Sequence, residues 1–217
     1  MVTKLTTIKT GDGSVSLWNS ELDETYHSRH GAIQESEYVF IEQGFDQMRA
    51  DTLNLLEVGF GTGLNALLTL RESRKKGVFC RYTSLETFPL PRTIYSQLGY
   101  GEEVNNVSAQ DLLDLHEADW EGIVPISDKF DLQKIRVSLQ EFDSEAEFDL
   151  IYYDAFGPRA QPEMWEKELF QKMYNALKTN GVLVTYCAKG QVRRDMAECG
   201  FQVERLPGPP GKRHMVR

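Results

Sequence analysis

The sequence predicts an α/β fold in which helices cover both faces of a mostly parallel, doubly wound sheet. Three observations predict it. Apolar segments of strand length alternate with amphipathic segments of helical length. A turn with three glycines joins the first core strand to a helix. Two of the predicted buried strands end in an acidic residue, at the edge where open α/β sheets bind their ligands.

The first fifty residues are predicted to form an N-terminal strand and cap, and residues 51–217 a single core. Polar and apolar residues alternate over residues 14–20, which is typical of a strand, and a second apolar stretch opens at Tyr38. Residues 24–31 between them are polar. A length of 217 residues suits one α/β domain with such an extension.

The core begins with a strand over residues 52–58 and continues as alternating helices and strands. Leu64, Leu67 and Leu68 follow helical spacing, and Gly77 after a basic last turn ends this helix. Further strands are predicted over 78–85, 130–142 (one strand or a pair), 147–154 and 182–187, helices around 91–98, 111–120, 163–178 and 191–199, and an antiparallel C-terminal hairpin from 201–206 and 214–216.

The glycine-rich turn predicts a cradle for a nucleoside-type ligand, because glycine permits positive φ and the helix that follows offers free N–H groups. Its Gly-x-Gly-x-Gly spacing differs from the dinucleotide fingerprint, and the acid before it would repel a pyrophosphate. An acid suits an amino or sulfonium cation, which favours S-adenosylmethionine over NAD. A turn without any ligand is the alternative. The predicted cofactor-binding residues here are Glu57, Gly59, Phe60, Gly61, Thr62, Gly63 and Asn65.

Two further acids stand at predicted strand ends. Glu86 lies 23 residues beyond Gly63, a spacing typical of an acid that hydrogen-bonds ribose hydroxyls, with Thr87 beside it. Asp154 opens the segment Ala155-Phe156-Gly157-Pro158, which resembles the Asp/Asn-Pro-Pro-Tyr loop of amino-group methyltransferases. A carboxylate there can hold an attacking amine. Phe156 either walls the transfer pocket or belongs to the core; a surface or turn role remains the alternative for both acids.

Charge and composition limit the other classes. The formal net charge is −9, yet residues 184–217 hold seven basic and three acidic residues, so this tail is either a phosphate-binding face or a solvated surface. No apolar run has membrane-spanning length, and residues 1–4 show no signal-peptide pattern. Cys80, Cys187 and Cys199 form no paired motif, which predicts a reducing cytoplasm.

The sequence predicts neither metal catalysis nor a serine nucleophile. His27 and His30 are the one close pair among four histidines, no acid nearby completes a ligand set, and both rings are expected to face solvent. The sequence also has no Gly-x-Ser-x-Gly elbow and no nucleotide-triphosphate loop.

Six blocks in order resemble the methyltransferase domain of the bacterial bifunctional enzymes that complete 5-methylaminomethyl-2-thiouridine in tRNA. The blocks are residues 23–40, Glu57-Val58-Gly59-Phe60-Gly61-Thr62-Gly63-Leu64-Asn65, 84–90, 154–165, 189–194 and 210–215. The family's acid after the third strand, near the adenine, has no fixed counterpart in residues 139–143. No flavin domain fits in 217 residues, and the short last strand allows the natural chain to continue beyond Arg217.

The resemblance implies a class I S-adenosylmethionine-dependent N-methyltransferase that acts on the aminomethyl group of the tRNA wobble uridine. Asp154 and Phe156 are the implied catalytic residues, with a tRNA anticodon stem-loop as partner and a separate flavin oxidase upstream. The implied substrate and tRNA contacts are Tyr26, Ser28, Pro158, Trp165, Lys189, Arg193, Arg194, Lys212 and Arg213. The alternatives are a small-molecule amine methyltransferase or aminopropyltransferase of the same fold and, with less support, a non-catalytic RNA-binding or cofactor-sensing module.

Overall fold

The computed structural model describes residues 5–217; residues 1–4, on which the signal-peptide expectation rests, lie outside the described part. The cap begins with a small antiparallel sheet of β1 (Leu5–Lys9), β2 (Val15–Asn19) and β3 (Glu24–Thr25). The predicted strand at residues 14–20 is therefore confirmed as β2. The apolar stretch at Tyr38 is helical: α1 (Ala32–Ser36) continues as a π-helical segment, Glu37–Glu42.

The central sheet has six strands in the spatial order β6-β7-β5-β4-β8-β9. All neighbouring pairs are parallel except β6 with β7. The strands are β4 (Thr52–Val58), β5 (Phe79–Leu85), β6 (Ile123–Ser127), β7 (Phe130–Ile135), β8 (Phe148–Tyr153) and β9 (Leu177–Val184). The predicted class, a mostly parallel doubly wound sheet, is confirmed.

The C-terminal hairpin extends this sheet. β10 (Arg205–Pro207) pairs antiparallel with β11 (His214–Val216). Thr185 and Val216 then exchange two backbone hydrogen bonds of 3.0 Å, which join β11 to the edge beyond β9. The loop of the hairpin is thereby held above the same end of the sheet as the cap.

The helices are short except for the one that follows the glycine-rich turn. They are α2 (Leu64–Lys76), α3 (Arg92–Tyr95), α4 (Tyr100–Glu103), α5 (Ala109–Glu117), α6 (Lys167–Ala176) and α7 (Gly190–Glu198). Two clusters of buried apolar side chains cover the two faces of the sheet, one around α2 and one around α6 and α7. The cap residues Leu17 and Phe40 belong to the first cluster, so the cap shares a core with the sheet.

Three predicted elements differ from the structure. The segment 130–142 is one short strand, β7, whose antiparallel partner β6 precedes it rather than follows it. The predicted helix 163–178 is a 3-10 turn and α6, separated by the extended residue Glu166. β9 begins at Leu177, inside the predicted helix, and Asn180 with φ 64° lies where the pairing with β8 shifts register.

The topology brings the predicted site residues together. β5 lies on one side of β4 and β8 on the other, so the chain direction across the sheet reverses at β4. Ligands of open α/β sheets bind at such a switch point, outside the carboxyl ends of the strands. Gly59, Glu86 and Asp154 directly follow β4, β5 and β8, and all three therefore meet at this edge.

Candidate active site

A cavity of about 1120 Å³ opens at the carboxyl edge of the central sheet. It is lined by the glycine-rich turn, the segments after β5, β7 and β8, the cap, and the loop of the C-terminal hairpin. Cavities of this size hold ligands of nucleoside dimensions and larger.

The glycine-rich turn brings bare backbone to the cavity. Gly59, Gly61 and Gly63 all have positive φ, at 92°, 50° and 73°. A Cβ on Gly59 would lie 3.3 Å from the carbonyl oxygen of Asp154, and one on Gly61 would touch the Tyr26 ring at 3.4 Å. The amide of Gly61 donates to Glu86 Oε2 at 3.0 Å, which ties the turn to the end of β5.

A histidine that the sequence did not single out supports the turn from below. His116 Nε2 lies 3.0 Å from the carbonyl oxygen of Thr62, and its ring stacks on Tyr95 with centroids 4.3 Å apart. Burial lowers the pKa of His116 to about 4, so its ring is neutral and Nε2 can donate to that carbonyl. The fully buried Lys134 donates to the His116 carbonyl at 2.6 Å.

Glu86 and Thr87 both line the cavity. Besides binding Gly61, the Glu86 carboxylate accepts from the Phe88 amide through Oε1 at 2.8 Å, so its orientation is fixed from two sides. Phe88 is 77% exposed at the same place, an aromatic surface that sequence analysis missed although the residue stands in one of the matched blocks.

Asp154 lies half-buried at the base of the cavity. Its Oδ2 accepts from Asn65 Nδ2 at 2.8 Å, and its amide donates to the Val58 carbonyl at 3.2 Å. Burial, followed by the charge of Glu35, raises the pKa of Asp154 to about 8. A carboxyl group that titrates near neutrality and is oriented by an amide can accept a proton from a bound amine.

Glu57 was expected to contact the cofactor, and the structure corrects this. Its side chain is fully buried beneath the turn and does not line the cavity. Ser84 donates to Glu57 Oε2 at 2.7 Å, while Oε1 has no hydrogen-bond partner. Burial, with a smaller contribution from Asp154, raises the pKa of Glu57 to about 8, so it is largely uncharged at neutral pH and cannot neutralise a cation.

The aromatic residues divide between wall and core. Phe156 lines the cavity and meets Tyr26 edge to face, with centroids 4.9 Å apart, which supports the wall role over the core role. Trp165 is 5% exposed and its indole N–H donates to the Phe156 carbonyl at 2.7 Å. The expectation that Trp165 stacks on a base is therefore corrected: it holds the Phe156 loop in place. Pro158 lies on this loop beyond the cavity lining.

The cap contributes Tyr26, His27 and Ser28 to the cavity wall. The amide of Ser28 donates to Glu35 Oε2 at 2.7 Å. His27 is buried, contrary to expectation. Its Nδ1 lies 3.3 Å from the Ser16 hydroxyl and its Nε2 lies 3.3 Å from the Thr62 hydroxyl, so both ring nitrogens have a polar partner. His30 is exposed, as expected.

The five basic residues predicted to meet phosphates separate into two places. Lys189, Arg193, Arg194 and Arg213 lie outside the cavity lining, on α7, at its N-terminus and on the hairpin. Lys212 lines the cavity instead, where it pairs with the buried Glu35. Lys212 is therefore set apart from the other four cations, and its contact with a phosphate stays a prediction.

The loop after β7 occupies the position where the family places an acid. Ser138, Leu139 and Gln140 line the cavity there. Glu141 instead accepts from the Ser138 hydroxyl at 2.7 Å, and Asp143 pairs with Lys172 at 2.9 Å. Neither acid of this segment reaches the cavity, so an amide and a hydroxyl take the acid's place.

Residues 5–217 contain no cluster of three or more His, Cys, Asp or Glu side chains arranged to hold a metal ion, and no helix long and apolar enough to cross a bilayer. Cys80, Cys187 and Cys199 are buried and free.

The residues at the cavity fit S-adenosylmethionine. A Cβ on the three glycines of the turn would crowd the neighbouring groups, and Glu86 lines the cavity with a carboxylate that can accept from ribose hydroxyls. Asn65 and Asp154 also line the cavity and are joined by a hydrogen bond, which places polar groups beside the turn. The fold and the cavity lining together fit the class of S-adenosylmethionine-dependent methyltransferases.

Comparison with known proteins agrees with this class. A family model described as S-adenosyl-L-methionine-dependent methyltransferase matches residues 125–217. The chain is 32% identical over 209 residues to the tRNA 5-methylaminomethyl-2-thiouridine biosynthesis bifunctional protein MnmC of Hydrogenovibrio crunogenus, covering 89% of this chain and 31% of that protein. The MnmC protein of Cupriavidus necator is 31% identical, with 92% and 32% covered. This confirms the resemblance stated from the sequence, and the chain spans about a third of the length of these relatives.

Solved structures confirm the fold. MnmC2 from Aquifex aeolicus superposes with a TM-score of 0.76 at 23% identity, covering 99% of this chain and 70% of that one. Spermidine synthase from Thermotoga maritima gives 0.59 at 14% identity, with 99% and 72% covered. At these identities the likeness shows only that the fold is shared.

Proposed function

We propose that this protein transfers a methyl group from S-adenosylmethionine to the primary amine of 5-aminomethyl-(2-thio)uridine at the wobble position of tRNA. The observation that carries the proposal is Asp154, a carboxyl group with its pKa near 8, held by Asn65 beside a glycine cradle. Similarity to the MnmC proteins along almost the whole chain supports the substrate.

When bound, S-adenosylmethionine would supply an electrophilic sulfonium methyl group, with S-adenosylhomocysteine as the leaving group. Glu86 would hold the ribose by accepting from its hydroxyls, and the amides of the glycine-rich turn would hold the rest of the nucleoside. Asp154 takes a proton from the substrate ammonium group, so that a neutral nitrogen lone pair faces the methyl carbon. Asn65 orients that carboxylate, and much of the rate enhancement comes from such positioning.

The cavity wall selects and shields the reacting base. Phe156 and Tyr26 form an edge-to-face pair beside Asp154, and the exposed ring of Phe88 lies at the rim. A wobble uridine must leave the anticodon stack to reach Asp154, and aromatic surfaces stabilise such unstacked bases. Phe156 is the residue we assign to this contact.

The basic residues outside the cavity are the proposed site for the anticodon stem-loop. Arg193, Arg205 and Arg213 lie close enough together that all three lower the pKa of His214, after the effect of burial. Together with Lys189 and Arg194 they form a group of five cationic residues, the basic face. It offers phosphate contacts although the whole chain carries −9.

The proposal also covers the location of the enzyme, the preceding reaction step and the boundary of the cap. We place the enzyme in the cytoplasm, where tRNA is modified, and assign the preceding flavin-dependent step to a separate oxidase activity. We also propose residue 50 as the boundary between cap and methyltransferase core. These parts rest on the resemblance to MnmC and are separate from the assignment of Asp154.

Mass spectrometry of tRNA nucleosides tests the proposal directly. Purified protein, S-adenosylmethionine and tRNA bearing aminomethyl-uridine should give a gain of one methyl group at the wobble nucleoside. The same tRNA with an unmodified wobble uridine is the control and should gain nothing. If calorimetry shows cofactor binding but neither tRNA gains a methyl group, the substrate is a different RNA or a small amine, the alternative class.

A further inference from the structure

Lys212 has a position that its neighbours on the basic face do not share. Its ammonium group pairs with Glu35, whose side chain is 7% exposed, and lies 3.6 Å from the centroid of the Tyr186 ring. Lys212 also lines the cavity. An ion pair and a cation–π contact at a half-buried site hold the side chain in one orientation, which exposed surface pairs seldom do.

The loop that carries Lys212 is seated on the cap by neighbouring contacts. Gly211 has φ 85°, and a Cβ on it would lie 1.9 Å from Cδ2 of His30, so any other residue there would displace the His30 ring. The Tyr38 hydroxyl donates to the Pro207 carbonyl at 3.1 Å. Residues from the two ends of the chain therefore meet over the cavity, and the Glu35–Lys212 pair is the charged part of that contact.

Tyr186 connects this contact to the catalytic loop. Its hydroxyl donates to the Ala155 carbonyl at 2.7 Å, directly after Asp154 in the chain. A Cβ on Gly157 would lie 3.6 Å from the same hydroxyl oxygen, so the loop runs close beneath the ring. Displacing Lys212 from the face of Tyr186 would therefore loosen the backbone that presents Asp154.

The charges around Asp154 come from several elements. Glu35 of the cap raises the pKa of Asp154, whereas Lys212 of the hairpin and the amide of Asn65 lower it. Glu57 of β4 and Tyr186 after β9 also couple to Asp154. Without Lys212, the repulsion of Glu35 on Asp154 would no longer be opposed by this cation, which favours protonation of Asp154.

We propose that Lys212 is a positioning residue of the methyl-acceptor site, held over Tyr186 by Glu35 so that its ammonium group supplies the positive charge beside Asp154 and steadies the Asp154 loop. The inference rests on the proposed function and deepens it. It assigns the hairpin loop to the chemistry of the acceptor amine rather than to tRNA phosphates.

Four variants test the assignment. Lys212→Met removes the charge and keeps most of the side-chain volume, and Lys212→Arg keeps the charge. Glu35→Gln removes the opposing charge and keeps an acceptor for the Ser28 amide. Arg213→Met is the matched control, because it deletes one cation from the adjacent, exposed position.

Two readouts are needed. Carbon-13 NMR of the Asp154 carboxyl group in the protein alone, assigned with Asp154→Asn, gives its pKa without any substrate. The pH profile of kcat and KM with aminomethyl-uridine tRNA gives the catalytic effect. The first readout still decides the positioning role if the wild type fails to methylate tRNA, so the two proposals can fail separately.

Removing the cation and removing the anion should shift the pKa of Asp154 in opposite directions. Lys212→Met should raise the pKa of Asp154 and move the rising limb of kcat upward by about one pH unit, which lowers kcat at pH 7 about tenfold. Glu35→Gln should lower that pKa, Lys212→Arg should restore most of kcat, and Arg213→Met should change KM for tRNA alone. The proposal is overturned if Lys212→Met behaves like Arg213→Met, with the titration of Asp154 unmoved. Should Lys212→Met not fold, Lys212→Gln, which also removes the charge, decides by the same titration.

Discussion

At the scale of single residues, burial decides which acids can act. Glu86, Glu57 and Asp154 all stand near the ends of adjacent parallel strands, yet only two of them line the cavity. Glu57 points beneath the turn to Ser84, and Asp154 points to Asn65 at the cavity base. The roles proposed for the three acids, ribose binding, core packing and proton transfer, thus follow from their surroundings.

Asp154→Asn should abolish turnover while S-adenosylmethionine affinity stays within a few-fold of wild type. The asparagine oxygen can still accept from Asn65, but the proton acceptor is lost, and general-base contributions are typically about 10²–10⁴-fold in kcat. Because the pKa of Asp154 is raised to about 8, wild-type kcat should rise with pH up to about that value. Nucleoside mass spectrometry across pH and calorimetry measure the two effects.

Asp154→Ala gives the matching test without the asparagine amide, and it should behave in the same way. Turnover close to wild type in either variant, with the cofactor bound, would refute the assigned role of Asp154 as proton acceptor.

Glu57→Gln should make the free energy of unfolding less sensitive to a rise in pH between the unfolded pKa of Glu57 and about 8. The folded-state pKa of Glu57, about 8, lies above its unfolded value, so folding holds a proton that the unfolded chain releases. Stability from this group is fully present below the unfolded pKa and is lost as pH rises through the folded pKa, by roughly 1.4 kcal/mol per pH unit. Urea unfolding of wild type and variant between about pH 5 and pH 9 measures the difference in the pH dependence of stability. This range lies around the unfolded and folded pKa values of Glu57.

The exposed Glu21→Gln is the control for loss of an acid at the surface. Asp154 contributes a slope of the same sign, so Glu57→Gln should flatten the pH dependence in part rather than remove it. Equal slopes in wild type and Glu57→Gln would contradict the uncharged, buried state of Glu57.

At the scale of elements, α2 shows how one helix serves both stability and binding. Left-handed glycines flank it at both ends, Gly63 with φ 73° and ψ 8° and Gly77 with φ 71° and ψ 13°. The backbone requirement is therefore the same at each end. The surroundings differ, because only the N-terminal glycine faces other groups within 4 Å.

Gly63→Ala should destabilise the protein more than Gly77→Ala and should also weaken cofactor binding. Both substitutions cost roughly 1–2 kcal/mol for a left-handed alanine. At Gly63 the new Cβ would in addition lie 3.1 Å from His116 Nε2 and 3.3 Å from the Phe60 ring, whereas at Gly77 it would meet nothing within 4 Å. Urea unfolding and calorimetry with S-adenosylmethionine give both quantities, and equal effects at the two sites would show that the turn tolerates the methyl group.

The pattern of apolar and polar residues was sufficient to predict the elements whose buried faces repeat along the sequence. β4, α2 and β8 lie within about a residue of their predicted bounds, and the acids that follow β5 and β8 reach the cavity as expected. Pairing was harder, because the antiparallel partner of β7 is an earlier segment, β6, which contains a proline and has no fully buried side chain. Likewise, nothing near Trp165 in sequence indicates its bond to the Phe156 carbonyl.

At the scale of the whole molecule, the two ends of the chain close over the middle. The cap and the hairpin loop meet above the sheet, which explains why Lys212 could not be placed from sequence: its partner Glu35 lies at the other end of the chain. The remaining basic residues stay outside on α7 and the hairpin, while the body of the protein is strongly acidic. Such separation of charge favours one orientation toward a polyanion.

The basic face is expected to set that orientation toward tRNA. The double variant Arg194→Gln/Arg213→Gln should weaken tRNA binding and lower the salt dependence of the association constant, because each lost phosphate contact reduces the slope against log salt by about 0.7–0.9. S-adenosylmethionine affinity should not change, since neither residue lines the cavity. Lys75→Gln/Arg81→Gln is the control: it removes two exposed cations from α2 and β5, outside the basic face. If filter binding across salt concentrations shows the same loss in both double variants, tRNA responds to net charge alone; a loss confined to the first pair, with kcat at saturating tRNA intact, identifies the basic face as the surface that presents the wobble base to Asp154.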